Sequence, residues 1–205
     1  PVLGVIGNNT KNTALVALQH PKSVISEAFR SLRTNMQYIN PGSPKQVLLI
    51  TSSISGEGKT FISTNMASIL SLSGKKTVLI GMDLRKPKIF NDFGLTNHIG
   101  MTNYLIGKAS REEIIQHTNY PNLDLIPAGP VPPNPSELVL SQRYEDLINW
   151  LKTQYDFVVI DTPPCTLIAD AFEMMRFSDV NYYVMRQNYT RKEMIKILEG
   201  MRLNG

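Results

Sequence analysis

A short glycine-containing loop, placed between an apolar run and a helical pattern, constrains this chain more than any other feature. Small residues allow successive backbone N–H groups to point inward at phosphate oxygens. A lysine then reaches the β- and γ-phosphates, and a Ser or Thr hydroxyl meets Mg²⁺. The chain supplies all of these parts in order in the run Ser53-Ile54-Ser55-Gly56-Glu57-Gly58-Lys59-Thr60. It therefore predicts a phosphate-binding loop, or P-loop, that holds ATP phosphates and Mg²⁺.

The context of the loop matters because its first position departs from the usual pattern. Ser53 stands where G-x-x-x-x-G-K-[ST] has glycine. A Gly/Ser-rich turn with an unrelated lysine is the alternative, but a buried strand precedes the loop and an amphipathic helix follows it. We expect Lys59 to act in catalysis and Thr60 to meet the metal ion. The residues expected to contact nucleotide in this segment are Ser55, Gly56, Glu57, Gly58, Lys59, Thr60 and Phe61.

Alternating apolar runs and helical patterns predict the fold. Short continuous apolar runs are typical of strands buried on both faces, and they occur at 47–51, 77–80, 123–127, 157–161 and 181–185. Helical patterns cover 23–40, 61–73, 136–155 and 190–202, with the turn 41–44 ending the first. We expect an irregular lead-in over 1–20, then one doubly wound α/β domain over 21–205, with a mostly parallel sheet between two helix layers.

Two carboxylates follow strands at the edge where ligands of such sheets bind. Asp161 ends the run 157–161 directly, and Asp83 lies three residues past the run 77–80. Both are predicted to face Mg²⁺ and its waters. The alternatives are ordinary: Asp161 can open a turn, and Asp83 can cap a turn or helix.

Bulk composition excludes several classes of protein. The chain has 205 residues, 42% hydrophobic and 19% charged, with a net charge of +4, which is ordinary globular composition. Its single cysteine, Cys165, leaves no disulfide framework and is interpreted as a packing residue. The three histidines lack metal-ligand spacing. No apolar run approaches the roughly 20 residues needed to cross a bilayer, and both ends look cut, as in a piece of a longer protein.

Several motifs together resemble the bacterial tyrosine kinases of the BY class, over nearly the whole chain. The loop 51–60 is similar to their Walker A form, including Ser at the first-glycine position, and 157–164 resembles their Walker B strand and Thr-Pro-Pro turn. Further matches are the second acidic motif 83–87, the proline-rich loop 129–138, the segment 169–171, and an E-x-x-R-x-x-R helix formed by Glu27, Arg30 and Arg33.

The resemblance implies a P-loop fold like that of MinD and ParA, and transfer of the γ-phosphoryl group of ATP to tyrosine. Thr60 and Asp161 would hold Mg²⁺, directly or through water. Asp83 would help to hold the metal ion and would take the proton of the attacking hydroxyl. Arg85 and Lys86 lie beside the expected phosphate site, where we assign them a weaker electrostatic role. The alternative is that they are simply solvated charges of a loop. Arg186 is equally compatible with a contact to the nucleotide edge and with a plain surface role.

Family members act in capsule and exopolysaccharide production, and the same resemblance implies their partners. A ring, expected to be an octamer, would form through Glu27, Arg30 and Arg33, so that each tyrosine tail reaches its neighbour's site. Taken alone, those charges would be read as a solvated helix face with i,i+3 pairs. The other expected partners are a transmembrane polysaccharide copolymerase or activator segment and a cognate tyrosine phosphatase, without nucleic acid. The expected location is the cytoplasmic face of a bacterial inner membrane.

Two departures from the family pattern keep other functions open. The second acidic motif usually reads Asp-x-Asp, and its first position here is Gly81, which cannot accept a proton. A nucleotide-binding pseudokinase scaffold is therefore the main alternative. The usual C-terminal tyrosine cluster is also missing, which we interpret as truncation. A MinD- or ParA-like ATPase switch is disfavoured, because Ile54 occupies the position of its signature lysine.

Overall fold

The structure is a computed structural model that describes residues 2–36, 38, 46–165 and 170–194. Its helices are α1 Val16–Gln19, α2 Val24–Met36, α3 Lys59–Leu72, α4 Ile89–Asp92, α5 Met101–Leu105, α6 Pro135–Val139, α7 Gln142–Gln154 and α8 Asp170–Met175. Its strands are β1 Gln46–Ser52, β2 Thr77–Gly81, β3 Gln116–His117, β4 Leu123–Ile126, β5 Phe157–Asp161 and β6 Val180–Val184. Within these described ranges, no helix is both long and apolar enough to span a bilayer.

The strands form one sheet in the order β3-β4-β2-β5-β1-β6. Every neighbouring pair is parallel except β3–β4, which is antiparallel. The five strands expected from the apolar runs are present within about one residue of their predicted bounds. The two-residue strand β3 was not predicted, since two residues carry no periodicity. The predicted mostly parallel α/β fold is confirmed.

Side chains of β1 alternate between two hydrophobic layers, as the period of two in a strand requires. Val47 and Leu49 pack into the layer that α5, α6, α7 and α8 cover. Leu48 and Ile50 pack into the opposite layer, which α1, α2, α3 and α4 cover. All seven residues of β1 are buried. This arrangement confirms the three-layer architecture and places β1, which leads into the P-loop, in the interior of the sheet.

Some predicted helix bounds were wrong. The pattern over 136–155 is two helices, α6 and α7, because Ser141 between them adopts an extended backbone (φ −74°, ψ 148°) and its hydroxyl donates to the Leu138 carbonyl oxygen at 2.7 Å. In α2, the apolar Val24 is 86% exposed, whereas the neighbouring Ile25 is buried. The lead-in 1–20 also contains the short helix α1.

Three predictions reach beyond the described residues. Residues 39 and 40 of the first helical pattern and the turn 41–44 lie outside them, and so does residue 169 of the segment 169–171. Of the helix predicted over 190–202, residues 192–194 are helical, and the residues after 194 lie outside the described part of the chain.

Candidate nucleotide and phosphoryl-transfer site

The strand order brings three chain segments to one edge of the sheet. β5 lies between β1 and β2, so the P-loop after β1 and the acidic segment after β2 flank the end of β5. Asp161 is the register partner of Ile50 on one side and of Gly81 on the other. The topology therefore groups the two predicted acidic segments with the P-loop, although they are far apart in sequence.

The P-loop relies on two glycines in the left-handed backbone region. Gly56 has φ +92° and Gly58 has φ +97°, a conformation that costs a residue with a Cβ atom about 1 kcal/mol or more. Gly58 is the N-cap of α3, a 14-residue helix, and Lys59 is its first residue. The Lys59 side chain is only 7% exposed. The loop thus sets an open backbone and a sheltered ammonium group at the positive end of a helix dipole.

Asp161 is buried directly beneath the start of α3. Its Oδ2 accepts a hydrogen bond from the Thr60 hydroxyl at 2.8 Å, and its Oδ1 accepts one from the Ser63 hydroxyl at 3.0 Å. Burial raises the pKa of the Asp161 carboxyl to about 6, although both hydroxyls and the Lys59 charge lower it. The nearby charge of Asp83 raises it further. Burial destabilises the ionised form of Asp161, and a cation bound beside it would stabilise that form.

Asp83 lies across a small cleft from the P-loop. Thr60, Gly81, Asp83 and Asp161 all line this cleft. Backbone N–H groups of Arg85 and Lys86 donate to Asp83 Oδ1 at 3.3 Å and 3.0 Å, which fixes the carboxylate in a turn. The turn-capping role considered for Asp83 is thus present, and it orients the carboxylate that lines the cleft.

The donor set of this cleft fits a hard divalent cation. Two carboxylates and a hydroxyl are oxygen ligands of the kind that Mg²⁺ takes, with phosphate oxygens and water completing its octahedron. Among the described residues there is no cluster of three or more His, Cys, Asp or Glu side chains that could hold a metal ion alone. Such a sparse protein contribution is typical of sites where the metal ion arrives with a nucleotide.

Two of the predicted site residues have their side chains elsewhere. The Arg85 guanidinium donates to the Ser136 hydroxyl at 3.0 Å, whereas its neighbour Lys86 lines the cleft. The Phe61 ring packs on Phe29 of α2, with ring centroids 5.9 Å apart. A contact between Phe61 and nucleotide stays a prediction.

Arg186 bonds the P-loop backbone, and the contact to the nucleotide edge considered for it stays a prediction. It follows β6, and its guanidinium Nη1 donates to the Gly56 carbonyl oxygen at 3.0 Å. Glu57, predicted as one of the loop positions that contact nucleotide, is only 4% exposed, and its carboxylate accepts from the Ile54 N–H at 2.8 Å and from the Thr190 hydroxyl.

Sequence reasoning missed four side chains that bond within this site. Ser63 could have been found, because it lies three residues after Thr60 and shares its helix face. Tyr183, Tyr189 and Thr190 could not, because their contacts depend on β6 pairing with β1. Their hydroxyls donate to the Ser53 hydroxyl, the Ser55 carbonyl oxygen and the Glu57 carboxylate respectively.

The charged residues predicted for oligomer contacts lie on α2. Arg30 forms an i,i+3 ion pair with Glu27 and donates to the Pro21 carbonyl oxygen at 2.6 Å. Arg33 lies in the last turn of the helix. The i,i+3 pairing considered as the alternative is present, so Arg30 is already anchored within its own chain.

Comparison with protein families and characterised relatives agrees with this geometry. Residues 45–193 match a family model described as an AAA domain. The tyrosine-protein kinase YwqD of Bacillus subtilis is 37% identical over 179 residues, which cover 87% of this chain and 76% of that protein. The putative tyrosine-protein kinase CapB of Staphylococcus aureus is 39% identical, covering 88% of this chain and 79% of that protein. The tyrosine-protein kinase Etk of Escherichia coli is longer: the match is 35% identical and covers 25% of it.

Solved structures give the same result. The chimerical protein CapA2B2 has a TM-score of 0.91 and 35% identity, covering 98% of this chain and 87% of that one. The kinase domain of Escherichia coli Etk has a TM-score of 0.90 and 32% identity, covering 99% and 84%. The cell-division ATPase MinD of Pyrococcus furiosus shares the fold, with a TM-score of 0.66 and 23% identity over 78% of this chain.

Proposed function

This chain belongs to the bacterial tyrosine-protein kinases, and we propose that it transfers the γ-phosphoryl group of ATP to tyrosine hydroxyls at the cleft between its P-loop and Asp83. The observation that carries this proposal is the buried Asp161 carboxylate, which the Thr60 hydroxyl contacts at 2.8 Å. A P-loop hydroxyl beside a strand-end aspartate is the metal-binding pair of P-loop phosphoryl-transfer enzymes.

The phosphates of the nucleotide would be held by the loop backbone and by Lys59. Lys59 is only 7% exposed as a residue, so it lies in a sheltered environment where water screens its charge less. Thr60 and Asp161 would hold Mg²⁺, which neutralises charge on the β- and γ-phosphates when bound. Ser63 keeps the Asp161 carboxylate in place through its 3.0 Å hydrogen bond.

Asp83 is the residue proposed to accept the tyrosine proton. The acceptor hydroxyl must lose its proton as its oxygen attacks phosphorus, and a carboxylate within hydrogen-bond reach takes that proton. Backbone N–H groups hold Asp83 Oδ1, so the carboxylate is oriented before substrate enters. Lys86 lines the same cleft and adds positive charge near the transferring group. Arg85, bonded to Ser136, is assigned a weaker electrostatic role.

A phosphorylation assay tests this proposal. The protein is incubated with Mg²⁺-ATP, alone and with a random glutamate–tyrosine copolymer, and phosphotyrosine is detected. We expect signal in the wild type, and its loss in Lys59→Met and Asp83→Asn while circular dichroism stays unchanged. Ser136→Ala is the matched control, because it removes the hydrogen bond between Ser136 and Arg85 without touching the cleft. Wild-type protein that binds ATP but phosphorylates no tyrosine would refute the proposal.

Gly81 favours one competing function, a nucleotide-binding scaffold without kinase activity. Its register partner across the sheet is Asp161, so an aspartate at this position would add a third carboxylate beside the metal pair. In the assay above, a scaffold would bind ATP with Mg²⁺ and yield no phosphotyrosine. The two functions are therefore separated by one experiment.

We also propose the setting in which the kinase works. It would regulate capsule or exopolysaccharide synthesis from the cytoplasmic face of a bacterial membrane, together with a transmembrane activator segment, as a ring whose subunits phosphorylate one another's tails. A cognate phosphatase would reverse the reaction. The support is the family membership and the likeness to the chimerical protein CapA2B2. Analytical ultracentrifugation with and without an activator segment tests it: a species that stays monomeric in both cases contradicts the ring.

A further inference from the structure

The chain turns back over the outside of the P-loop immediately after β6. β6 pairs in parallel with β1, and Ser52 is the register partner of Val184, so β6 ends where the P-loop begins. The turn that follows is closed by a hydrogen bond from the Thr190 N–H to the Arg186 carbonyl oxygen at 2.9 Å. Asn188 at its tip has φ +58°, a left-handed conformation that asparagine tolerates. Residues 186–190 are called the strap below.

Two strap side chains bond the outward-facing carbonyl groups of the P-loop. Tyr189 Oη donates to the Ser55 carbonyl oxygen at 3.0 Å, and Arg186 Nη1 donates to the Gly56 carbonyl oxygen at 3.0 Å. The Arg186 guanidinium also lies over the Tyr189 ring, 5.3 Å from its centroid. Both carbonyl groups belong to the part of the loop whose N–H groups must face the phosphates.

Because the peptide bond is planar, these contacts with carbonyl groups also fix the direction of the N–H groups on the opposite side of the loop. In a trans peptide, the C=O of one residue and the N–H of the next point in opposite directions. When the strap holds the carbonyls of Ser55 and Gly56 outward, the N–H groups of Gly56 and Glu57 are directed inward. Those N–H groups are the donors that a P-loop presents to phosphate oxygens.

Thr190 restrains the one acidic side chain of the loop. Glu57 is 4% exposed, and its carboxylate accepts from the Thr190 hydroxyl as well as from the Ile54 N–H. The Thr190 hydroxyl oxygen in turn accepts from the Arg186 N–H at 2.8 Å. These hydrogen bonds keep the Glu57 carboxylate on the side of the strap. Without them, the carboxylate could approach the bound phosphates and repel their negative charge.

We infer that the strap sets the phosphate-binding conformation of the P-loop, with Tyr189 and Thr190 as positioning residues. Tyr189 acts through the peptide groups after Ser55, and Thr190 acts through the Glu57 carboxylate. This inference rests on the proposed function, since it assumes that the P-loop binds nucleotide phosphates. Tyr189 is also held close: a Cβ atom at Gly56 would lie 2.7 Å from its hydroxyl, so a larger residue there would displace the Tyr189 side chain.

The test compares variants that remove a hydroxyl with variants that keep it. Thr190→Val preserves shape and loses the bond to Glu57, whereas Thr190→Ser keeps the hydroxyl; Tyr189→Phe keeps the ring and loses its donor. Dissociation constants for Mg²⁺-ADP and Mg²⁺-ATP are measured by calorimetry, beside melting temperatures without nucleotide. We expect about tenfold weaker binding for Thr190→Val, about fivefold for Tyr189→Phe, and near wild-type binding for Thr190→Ser.

A double-mutant cycle separates positioning from general stability. In a Glu57→Gln background the neutral side chain no longer repels phosphate, so Thr190→Val is expected to weaken binding by less than about threefold there. Wild-type affinity in both Thr190→Val and Tyr189→Phe would overturn the inference and leave the proposed function standing. Equal losses in the two backgrounds would overturn the role of Thr190 through Glu57. A wild-type protein that binds no nucleotide would overturn the proposed function, and the inference with it.

Discussion

Acidic residues at the two ends of the central strands are treated differently by this fold. At the amino ends, Asp156 and Asp179 precede β5 and β6, and each accepts from a backbone N–H near the start of a neighbouring strand: Asp156 from Lys76 at 2.9 Å and Asp179 from Val47 at 2.7 Å. Asp179 is also paired with Lys152 at 3.8 Å. At the carboxyl ends, Asp161 is buried and accepts from the Thr60 and Ser63 hydroxyls, with the charges of Lys59 and Asp83 nearby.

The aspartates at the amino ends stabilise the sheet, whereas the sheet positions the aspartates at the carboxyl ends for a ligand. An amino-end aspartate satisfies a backbone donor, which stabilises a fold by about 1–3 kcal/mol when the acceptor is charged. A buried carboxylate whose pKa is raised costs stability when ionised. Groups with strongly perturbed pKa values cluster at functional sites. The loss of stability at Asp161 is therefore consistent with a role in binding a ligand.

The largest expected effect is the loss of phosphoryl transfer in Asp161→Asn. Removing one proposed metal ligand should lower kcat by about 10²–10³-fold, because charge on the transferring phosphates is no longer neutralised. The measurement is the initial rate of phosphotyrosine formation over a Mg²⁺ titration. Asp146→Asn, which removes an exposed carboxylate of α7, controls for the change in net charge. Retention of more than about a tenth of the wild-type rate would remove Asp161 from the proposed metal site.

The same substitution should stabilise the nucleotide-free protein in a defined pH window. Asp161 has a folded-state pKa of about 6 and an ordinary value of 3.8, so the folded state holds its proton more tightly than the unfolded state. The free energy of unfolding of the wild type therefore falls as pH rises from about 4 to about 6, by up to about 3 kcal/mol. Thermal melts of Asp161→Asn should show a higher melting temperature above pH 6 and no gain near pH 4. A uniform gain at both pH values would contradict this assignment.

The next effect concerns the glycine opposite Asp161. A Cβ atom at Gly81 would lie 3.5 Å from the Ala128 nitrogen and 3.8 Å from the Ile126 carbonyl oxygen, which is ordinary contact. Gly81→Asp should therefore fold, and a second base beside Asp83 should raise kcat by about 10²-fold. Gly81→Asn, of nearly the same size, is the control and should leave the rate near that of the wild type. Equal rates in all three proteins would show that Asp83 alone suffices.

A smaller effect, of opposite kind, is expected at the amino ends. Asp179→Ala leaves the Val47 N–H without its acceptor and should lower the free energy of unfolding by about 2 kcal/mol, with kcat unchanged. Lys152→Ala removes the partly exposed ion pair and should cost about 0.5 kcal/mol. Urea unfolding and the phosphotyrosine assay measure the two quantities. If Asp179→Ala lowers kcat under conditions where the protein is fully folded, the proposed distinction between aspartates at the amino and carboxyl ends of the strands is wrong.

The sequence was sufficient for the parts of the molecule that local chemistry determines. Five strands, the P-loop and the two carboxyl-end aspartates follow from apolar runs and from residue types at fixed offsets, because each depends on neighbours within a few positions. The break at Ser141 between α6 and α7 was missed, since that residue also fits a continuous helical pattern. The strap was missed for a different reason. Its contacts join Tyr189 to Ser55, which are 134 residues apart, and only the pairing of β6 with β1 brings them together.

The smallest effect on stability is expected on α2, where bonding within the chain and a proposed contact between chains compete for one residue. Arg30 pairs with Glu27 and also donates to the Pro21 carbonyl oxygen. An exposed i,i+3 ion pair contributes only about 0.2–0.5 kcal/mol, so Arg30→Ala with Arg33→Ala should shift the melting temperature by roughly 2 °C or less. If these arginines serve the ring, sedimentation should show loss of the oligomer while ATP binding persists; Lys22→Ala, on the exposed turn before α2, is the control. An unchanged oligomer would place Arg30 with the amino-end aspartates, as a residue whose bonds serve its own fold.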